Sequence, residues 1–426
     1  MADLKRLVGM MQELDDQLVT CMRCGMCQAV CPLFAQTGRE ADVARGKLAL
    51  LDGLTHEMLK DPLGVNERLN RCLLCGTCEA NCPSGVKVLD IFLKARAIMT
   101  GYLGLPPAQK AIFRGLLANP KLFNTLLGIG AKFQGLFTKP VDDMLGSSCA
   151  RFNSPLIGDR HFKRLAARPF HKIVAKLDEP RQQGGRKVAF FVGCVLDKVF
   201  PEVAEAALVA LKRNGVAVFL PENQACCGIP AISGGDVKTF EKLIAQNLEV
   251  FAGGDFDHLL TACATCTSTI RKVWKSMARK PELAEAVARL ADKTMDVSQY
   301  LVDVVGVKPA ALKAGAPSVT YHDPCHLKNS LGITAQPRTV IAAAGYALKE
   351  MTDAGTCCGC GGSFNLKHYE LSKTIGGRKA DNVVASGAGL VATSCPACML
   401  QLTDMLSQKG AKIPVKHVLQ LYASGA

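Results

Sequence analysis

The sequence predicts an α+β chain: a helical N-terminal unit followed by duplicated α/β cysteine-rich repeats. Three observations predict it. Cys21, Cys24, Cys27 and Cys31 recur, 51 positions on, as Cys72, Cys75, Cys78 and Cys82, and Pro32 recurs as Pro83. Cys194, Cys226, Cys227, Cys263 and Cys266 recur as Cys325, Cys357, Cys358, Cys395 and Cys398, at an offset of 131 for the first three and 132 for the last two. Around this second set, short apolar runs alternate with helical patterns, the logic of a parallel β-α-β layer. At 426 residues the chain is too long for one ordinary core. It divides into 1–100, a basic helical linker at 101–187, a first repeat at 188–310 and a second at 311–426.

Composition narrows the chemistry. Hydrophobic residues make up 49%, enough for packed cores and too many for a disordered chain. The twenty cysteines are the outlier. The start has no apolar h-region, so we expect a reducing cytoplasm, where clustered cysteines read as metal ligands rather than disulfides. No stretch has the ~20 apolar residues of a membrane span. The formal charge of +14 ignores thiolate-bound metal clusters, which carry negative charge. A basic balance suits an anionic membrane surface or an acidic partner. There is no nucleic-acid motif and few aromatics for base stacking, so nucleic acid is not expected as a partner.

Each N-terminal run reads C-x-x-C-x-x-C-x-x-x-C-P, the ligand pattern of a two-cluster ferredoxin. Three cysteines of a run wrap one cubane [4Fe–4S] cluster, and the fourth ligates the other. Cys21, Cys24, Cys27 and Cys82 are thus assigned to one cluster, and Cys72, Cys75, Cys78 and Cys31 to the other. Gly25 and Gly76 suit loops whose backbone approaches inorganic sulfide. Structural zinc pairs two short Cys or His pairs and does not give this pattern. Residues 32–71 read as a helical insertion.

In the C-terminal half, strands are predicted at 188–192, 216–220, 258–262, 318–322 and 389–393. Helices at 203–212, 238–251 and 283–290 separate those of the first repeat. Cys194, Cys263, Cys325 and Cys395 each fall between a strand and a helix, at the carboxyl edge where ligands of open α/β sheets collect. Each repeat reads C…CC-G…C-x-x-C, with one thiol more than a cubane needs. An adjacent pair such as Cys226-Cys227 does not easily serve one iron, but can bridge parts of an irregular cluster. Degenerate structural thiols or zinc are the bland reading. Cys360 and Cys149 read as spare thiols. His322 and His326 read first as core or capping residues, with cluster tuning or a proton relay as the sharper alternative. Trp274 reads as helix packing.

Here a resemblance becomes specific. Gly193-Cys194, Cys226-Cys227-Gly228, Asp323-Pro-Cys325-His326, Cys357-Cys358-Gly359 and Ser394-Cys-Pro-Ala-Cys398 look like the paired CCG domains of the heterodisulfide reductase family. With the N-terminal double motif, the layout resembles the iron–sulfur subunits of glycolate oxidase and lactate dehydrogenases. The likeness covers both ends and is weakest over 91–187. It implies a noncubane [4Fe–4S] cluster on Cys194, Cys226, Cys227, Cys263 and Cys266, and another on Cys325, Cys357, Cys358, Cys395 and Cys398. Typical glycolate oxidase subunits tend to lack one Cys of each final C-x-x-C pair. Both pairs are complete here, which favours cluster binding and weakens the choice of glycolate over another 2-hydroxy acid.

No phosphate-binding glycine loop for FAD or NAD is evident, so substrate oxidation is expected on a separate FAD-containing dehydrogenase subunit. This chain would then pass electrons to a quinone, a ferredoxin or another carrier. The alternatives are a disulfide-reducing subunit of the heterodisulfide reductase kind and the iron–sulfur subunit of an anaerobic glycerol-3-phosphate dehydrogenase. Residues 91–141 hold seven Lys and Arg and no Asp or Glu. Pro106, Pro107 and Pro120 are expected to cut this segment into short helices. Its apolar residues recur at helical spacing, so we expect it either to dock on an anionic surface, giving peripheral membrane contact, or to pack on the cluster domains.

Overall fold

The structure, a computed structural model, describes residues 2–152 and 157–424. The N-terminal part is helical. Helices Ala44–Thr55, Pro62–Asn70 and Val88–Leu103 bury Leu48, Leu51, Leu54, Val65, Leu69, Ile91, Phe92, Ala95, Ile98 and Met99 in one core. Their three- and four-residue spacing gives each helix one apolar stripe. Pro62 stands at the first helical position, and the Asp61 carboxylate caps that turn by accepting from Gly64 N at 2.9 Å. The insertion between the two cysteine runs is helical, as its pattern predicts.

The C-terminal half holds two parallel sheets. In the first, the strand order is Leu177–Asp178, Val216–Leu220, Arg186–Phe191, His258–Thr261, Thr294–Asp296, and only the first strand is antiparallel. In the second it is Val415–His417, Leu390–Thr393, Val319–His322, all parallel. The five predicted strands match these to within two residues at each end. The counterpart of Val216–Leu220 in the second repeat is reduced to a single bridge between Val319 and Leu348. One core, running from Val188, Phe190 and Leu211 to Val319, Tyr321 and Leu419, joins the two sheets. Helices Pro201–Arg213 and Val418–Ala423 close it, with Arg213 donating to the Tyr422 carbonyl at 3.0 Å.

The middle segment departs from expectation in three ways. It is not wholly helical: Thr138–Asp142, Ser147–Ala150 and Phe162–Lys163 form an antiparallel sheet. Gly146, at φ +61°, allows the tight connection, and the sheet is held by Ser147 Oγ–Ser407 Oγ (2.7 Å) and by His161 N donating to Asp404 Oδ1 (2.8 Å). Second, the helices do break where the prolines stand, but the piece that Pro120 opens is not short. Pro120–Phe137 runs 18 residues, because proline at the first helical position gives up no intrahelical hydrogen bond. Third, two of the seven basic residues are engaged by the α/β part or the core rather than left to solvent. Arg114 pairs with the buried Asp236 at 3.2 Å, and Arg96 is buried. The strand Leu177–Asp178 also precedes residue 188, where the sequence places the start of the first repeat.

The two halves are locked by helix Val88–Leu103 lying on helix Ile229–Ser233. Arg96 Nη1 donates to the Ser233 carbonyl (2.9 Å) and Thr100 Oγ1 to the Gly234 carbonyl (3.1 Å). Gly235, at φ +82°, lets the backbones meet: a Cβ there would stand 2.1 Å from Thr100 Oγ1 and 2.4 Å from the Arg96 carbonyl. Gly235→Ala is expected to lower the thermal midpoint of the anaerobically purified protein by roughly 5 °C or more. Thr100→Ala, which loses one hydrogen bond, should cost clearly less. Equal midpoints for Gly235→Ala and wild type would show that this contact does not hold the halves together.

Candidate metal centres

Each N-terminal cysteine loop carries two residues in the left-handed region at matching places: Arg23 and Gly25 in the first, Leu74 and Gly76 in the second. Such alternation turns successive backbone N–H groups to one side, a concavity suited to an anionic cluster. The non-glycine positions cost about 1–2 kcal/mol each, so something must compensate. Cys21, Cys24, Cys27, Cys78 and Cys82 line one cavity of about 380 Å³. Cys31, Cys72, Cys75 and Cys78 line the other, of about 440 Å³. The structure thus brings Cys82 to the first run and Cys31 to the second, and Cys78 faces both cavities. The donor set is all soft sulfur, which suits iron–sulfur clusters. Burial pushes the Cys31 thiol up to about 11, so thiolates gathered there need a bound cation.

In the first α/β repeat, Cys194 starts a helix directly after strand Arg186–Phe191, and Cys263 caps another after His258–Thr261. Cys194 Sγ lies 3.7 Å from Cys226 Sγ, and Cys227 neighbours both Cys226 and Cys266. In the second repeat Cys358 Sγ lies 3.5 Å from Cys398 Sγ, with Cys325 beside Cys357 and Cys395 beside Cys398. Gly228 (φ +92°) and Gly359 (φ +89°) close the two CC-G turns. A Cβ at either would come within 2.7 Å of Phe240 or of the Ser372 carbonyl, respectively. The N–H of Gly228 points at Cys226 Sγ (3.5 Å) and that of Gly359 at Cys357 Sγ (3.4 Å), hydrogen bonds of the kind that tune cluster potentials.

The three cysteine regions adjoin. Cys75 of the second N-terminal loop neighbours Cys357, and Cys263 of the first repeat neighbours Cys395 of the second. Thiol therefore follows thiol from Cys75 through Cys357, Cys358, Cys398, Cys395, Cys263, Cys266, Cys227 and Cys226 to Cys194. Side chains pin this junction. His326 spans from Thr265 Oγ1 (3.1 Å) to the Leu74 carbonyl (3.2 Å), and Asn329 Nδ2 donates to the Cys75 carbonyl (3.0 Å). Trp274 packs its helix, as expected, and also donates to the Cys227 carbonyl at 2.9 Å. Cys360 packs against the buried cluster that contains Cys358, Cys395 and Cys398, whereas Cys149 sits in the antiparallel sheet.

Three buried cations give no signal in the sequence. Lys47 lines the second N-terminal cavity and donates to the Asp42 carbonyl. Arg96 Nη2 donates to the Leu69 carbonyl (2.9 Å) and reaches toward that of Cys72 (3.4 Å). Lys379 donates to the Asp353 and Ala354 carbonyls beside Cys357 and Cys358. Burial lowers the pKa of all three, while neighbouring thiols raise it. A lysine or arginine in a mixed sequence reads as solvated charge, so only a periodicity mismatch could mark them. His322, which the sequence offers first as a core or capping residue, is fully buried, and neither ring nitrogen has a hydrogen-bond partner among the described residues. Burial and the nearby Lys379 push its pKa down to about 3. Each unpaired nitrogen costs about 1–3 kcal/mol.

Comparison with known proteins agrees with this layout. Residues 17–86 match the 4Fe-4S dicluster domain, and 188–271 and 319–403 each match the cysteine-rich CCG domain. The chain is 30% identical to lactate utilization protein A of Bacillus cytotoxicus over 242 residues, covering 56% of this chain and 99% of that protein. It is 28% identical to the probable glycolate oxidase iron-sulfur subunit of Bacillus subtilis over 440 residues, 100% of this chain and 98% of that one. The chain belongs to this family of iron–sulfur subunits. It is also 29% identical to a subunit of the fumarate reductase (CoM/CoB) of Methanothermobacter marburgensis, over 66% of this chain and 56% of that one. This chain joins a dicluster ferredoxin unit to two CCG domains, and it carries iron–sulfur clusters, two of them [4Fe–4S] clusters in its N-terminal part. Its role is electron transfer in association with an oxidoreductase.

The crossed cavities generate a direct expectation. Cys82→Ser in the full chain should perturb the cluster of Cys21, Cys24 and Cys27, and Cys31→Ser that of Cys72, Cys75 and Cys78, each with loss of up to about four irons. Iron analysis with EPR of the dithionite-reduced protein reads this. Perturbation of the cluster within the same run would refute the crossing.

Proposed function

We propose that the chain is the electron-transfer subunit of a flavin-dependent 2-hydroxy-acid dehydrogenase, of glycolate or D-lactate type. In this reading Cys21, Cys24, Cys27 and Cys82 hold one cubane, and Cys72, Cys75, Cys78 and Cys31 the other. Cys194, Cys226, Cys227, Cys263 and Cys266 hold a noncubane cluster, and Cys325, Cys357, Cys358, Cys395 and Cys398 its counterpart. The observation that carries the reading is the unbroken series of thiols from Cys75 to Cys194, extended by the shared Cys78 to the outer cavity. Four redox centres in contact favour relay over chemistry at one place. Oxidation of the hydroxy acid falls to a partner FAD-containing subunit, and the acceptor is a quinone, a ferredoxin or another carrier.

A second reading, a disulfide-reducing subunit, is favoured by the complete pairs Cys263/Cys266 and Cys395/Cys398 and by the likeness to the fumarate reductase (CoM/CoB) subunit. The flavin-free chain alone is expected to show no glycolate or D-lactate turnover with an artificial acceptor. Turnover should appear on adding the partner flavoprotein. Activity of the chain by itself would overturn the first reading, and viologen-driven reduction of a disulfide would favour the second.

The reading includes peripheral attachment to an anionic membrane surface through helix Pro120–Phe137. Among the described residues no helix is long and apolar enough to cross a membrane. Yet Leu122, Leu126, Ile129, Phe133, Leu136 and Phe137 are all exposed, at spacings that place them on one face; Leu136 is 63% exposed. Packing of this face on the cluster domains is therefore not what the helix does, although Phe113 and Leu117 of the preceding turn do pack inward. Lys110, Lys121, Lys132 and Lys139 are exposed nearby. Each basic residue at an anionic surface contributes about 1 kcal/mol, and the apolar face adds its own burial. In flotation with anionic liposomes, wild type should float and a variant with these four lysines changed to Gln should float markedly less. If neither floats, the membrane version is wrong and the face is left to the flavoprotein.

A further inference from the structure

The duplicated α/β frame allows position-by-position comparison, and one difference falls at the metal site. Strand Arg186–Phe191 ends on Phe191 and strand Val319–His322 ends on His322, 131 positions later, the offset that relates Cys194 to Cys325. The same place thus holds an apolar ring in one repeat and an imidazole in the other. Both are fully buried.

The imidazole makes no well-formed hydrogen bond, and the carbonyl near it, that of Ala354, already accepts from Asp323 N at 3.1 Å and Lys379 Nζ at 3.3 Å. Neither ring nitrogen has a hydrogen-bond partner among the described residues. The polar groups around it are committed elsewhere. The Asp323 carboxylate takes Arg338 at 2.7 and 3.0 Å, Tyr321 OH shares a hydrogen bond with Ser394 Oγ at 3.0 Å, and Lys379 Nζ can only donate. What the ring does meet is sulfur. A nitrogen of His322, Cys358 Sγ and Cys398 Sγ all lie within 4.8 Å of one another, with the two sulfurs 3.5 Å apart. Two thiolates and an imidazole bound to one iron would have donor atoms roughly 3.5–3.8 Å apart, given metal–sulfur bonds near 2.3 Å and metal–nitrogen bonds near 2.0 Å. The two sulfurs already stand at that spacing, and the imidazole nitrogen, within 4.8 Å of both, is near enough to complete the set.

Resting on the reading that the second repeat binds an iron–sulfur cluster, we propose that His322 is a nitrogen ligand to the iron shared with Cys358 and Cys398. The two C-terminal sites are then chemically unequal. The first is held by sulfur alone, with Phe191 against it; the second is held by sulfur and one neutral nitrogen. An imidazole adds a donor without adding negative charge, so the two sites, with five thiolates each, differ in donor set, and it is exchange of His322 for a thiolate that would make the second site harder to reduce. It is also the site that adjoins Cys75, so the inequality lies along the relay rather than at its end.

The test uses the full chain, purified anaerobically, with wild type grown on 15N-histidine and compared by ENDOR or HYSCORE. Wild type should show a directly coordinated histidine nitrogen coupled to a paramagnetic iron–sulfur centre. His322→Phe, which copies the first repeat, should abolish that coupling, and His326→Ala should keep it. His322→Cys, which supplies a thiolate, should keep the iron but shift one midpoint potential downward in a redox titration. Retention of the nitrogen coupling in His322→Phe overturns the proposal. So does its absence from wild type in which Cys358→Ser lowers the iron content, and there the cluster reading stands. If Cys358→Ser and Cys398→Ser hold as much iron as wild type, the cluster reading itself fails, and the proposal with it.

Discussion

Negative charge inside a protein must be balanced where water cannot reach, and the buried cations of this chain do that at its structural joints. Arg96 is the clearest case. Its guanidinium is fully enclosed, donates to the carbonyls of Leu69 and Ser233, and faces that of Cys72. A planar fork of five donors can serve carbonyls spread to several sides, more than the three donors on the single nitrogen of a lysine. The same side chain therefore ties the second N-terminal cysteine loop to its own core and to the first α/β repeat. Lys47 and Lys379 take comparable places beside Cys72 and Cys358. A buried cation without compensating charge would be costly, and a thiolate-bound cluster without one equally so. The architecture makes each the partner of the other.

The duplication explains why the C-terminal half can hold two sites in contact. Both repeats present cysteines at the carboxyl edge of a parallel sheet, and their sheets share one core from Phe190 to Tyr321. That packing brings the edges together, so that Ala264 N donates to the Ser394 carbonyl and Thr265 Oγ1 lies 3.6 Å from Cys395 Sγ. The frame is kept where the backbone demands it, at Gly228 and Gly359. It has diverged next to the cysteines: Ile229 against Cys360, Val195 against His326 and Phe191 against His322. Only the second repeat presents polar side chains at these places, and the second repeat is the one in contact with the N-terminal clusters.

Much of this is legible in the cysteine spacing. A run of three thiols at two-residue gaps can only wrap something compact, and the proline-flanked fourth points to its neighbour. The strands of the α/β repeats are legible because buried parallel strands are short continuous apolar runs. The middle segment is less so. Its prolines suggest short helices, yet Pro120 occupies the one helical position that tolerates it. Its antiparallel sheet has Ser147, Ser148 and Cys149 where an apolar alternation would signal a strand, because it is held by hydrogen bonds to helix Pro396–Gln408 rather than by a core of its own.

The sequence by itself determined the cofactor class, the duplicated frame and the elements that carry the thiols, since these follow from local spacing and local periodicity. Tertiary structure alone decided how the sites connect. That Cys75 meets Cys357, and Cys263 meets Cys395, depends on how separately folded layers pack, and no spacing along the chain encodes a contact of such sequence separation. The role of His322 was decided in the same way. An imidazole shortly before a cysteine is ordinary in a sequence; it becomes informative only when burial removes water and leaves two sulfurs within reach.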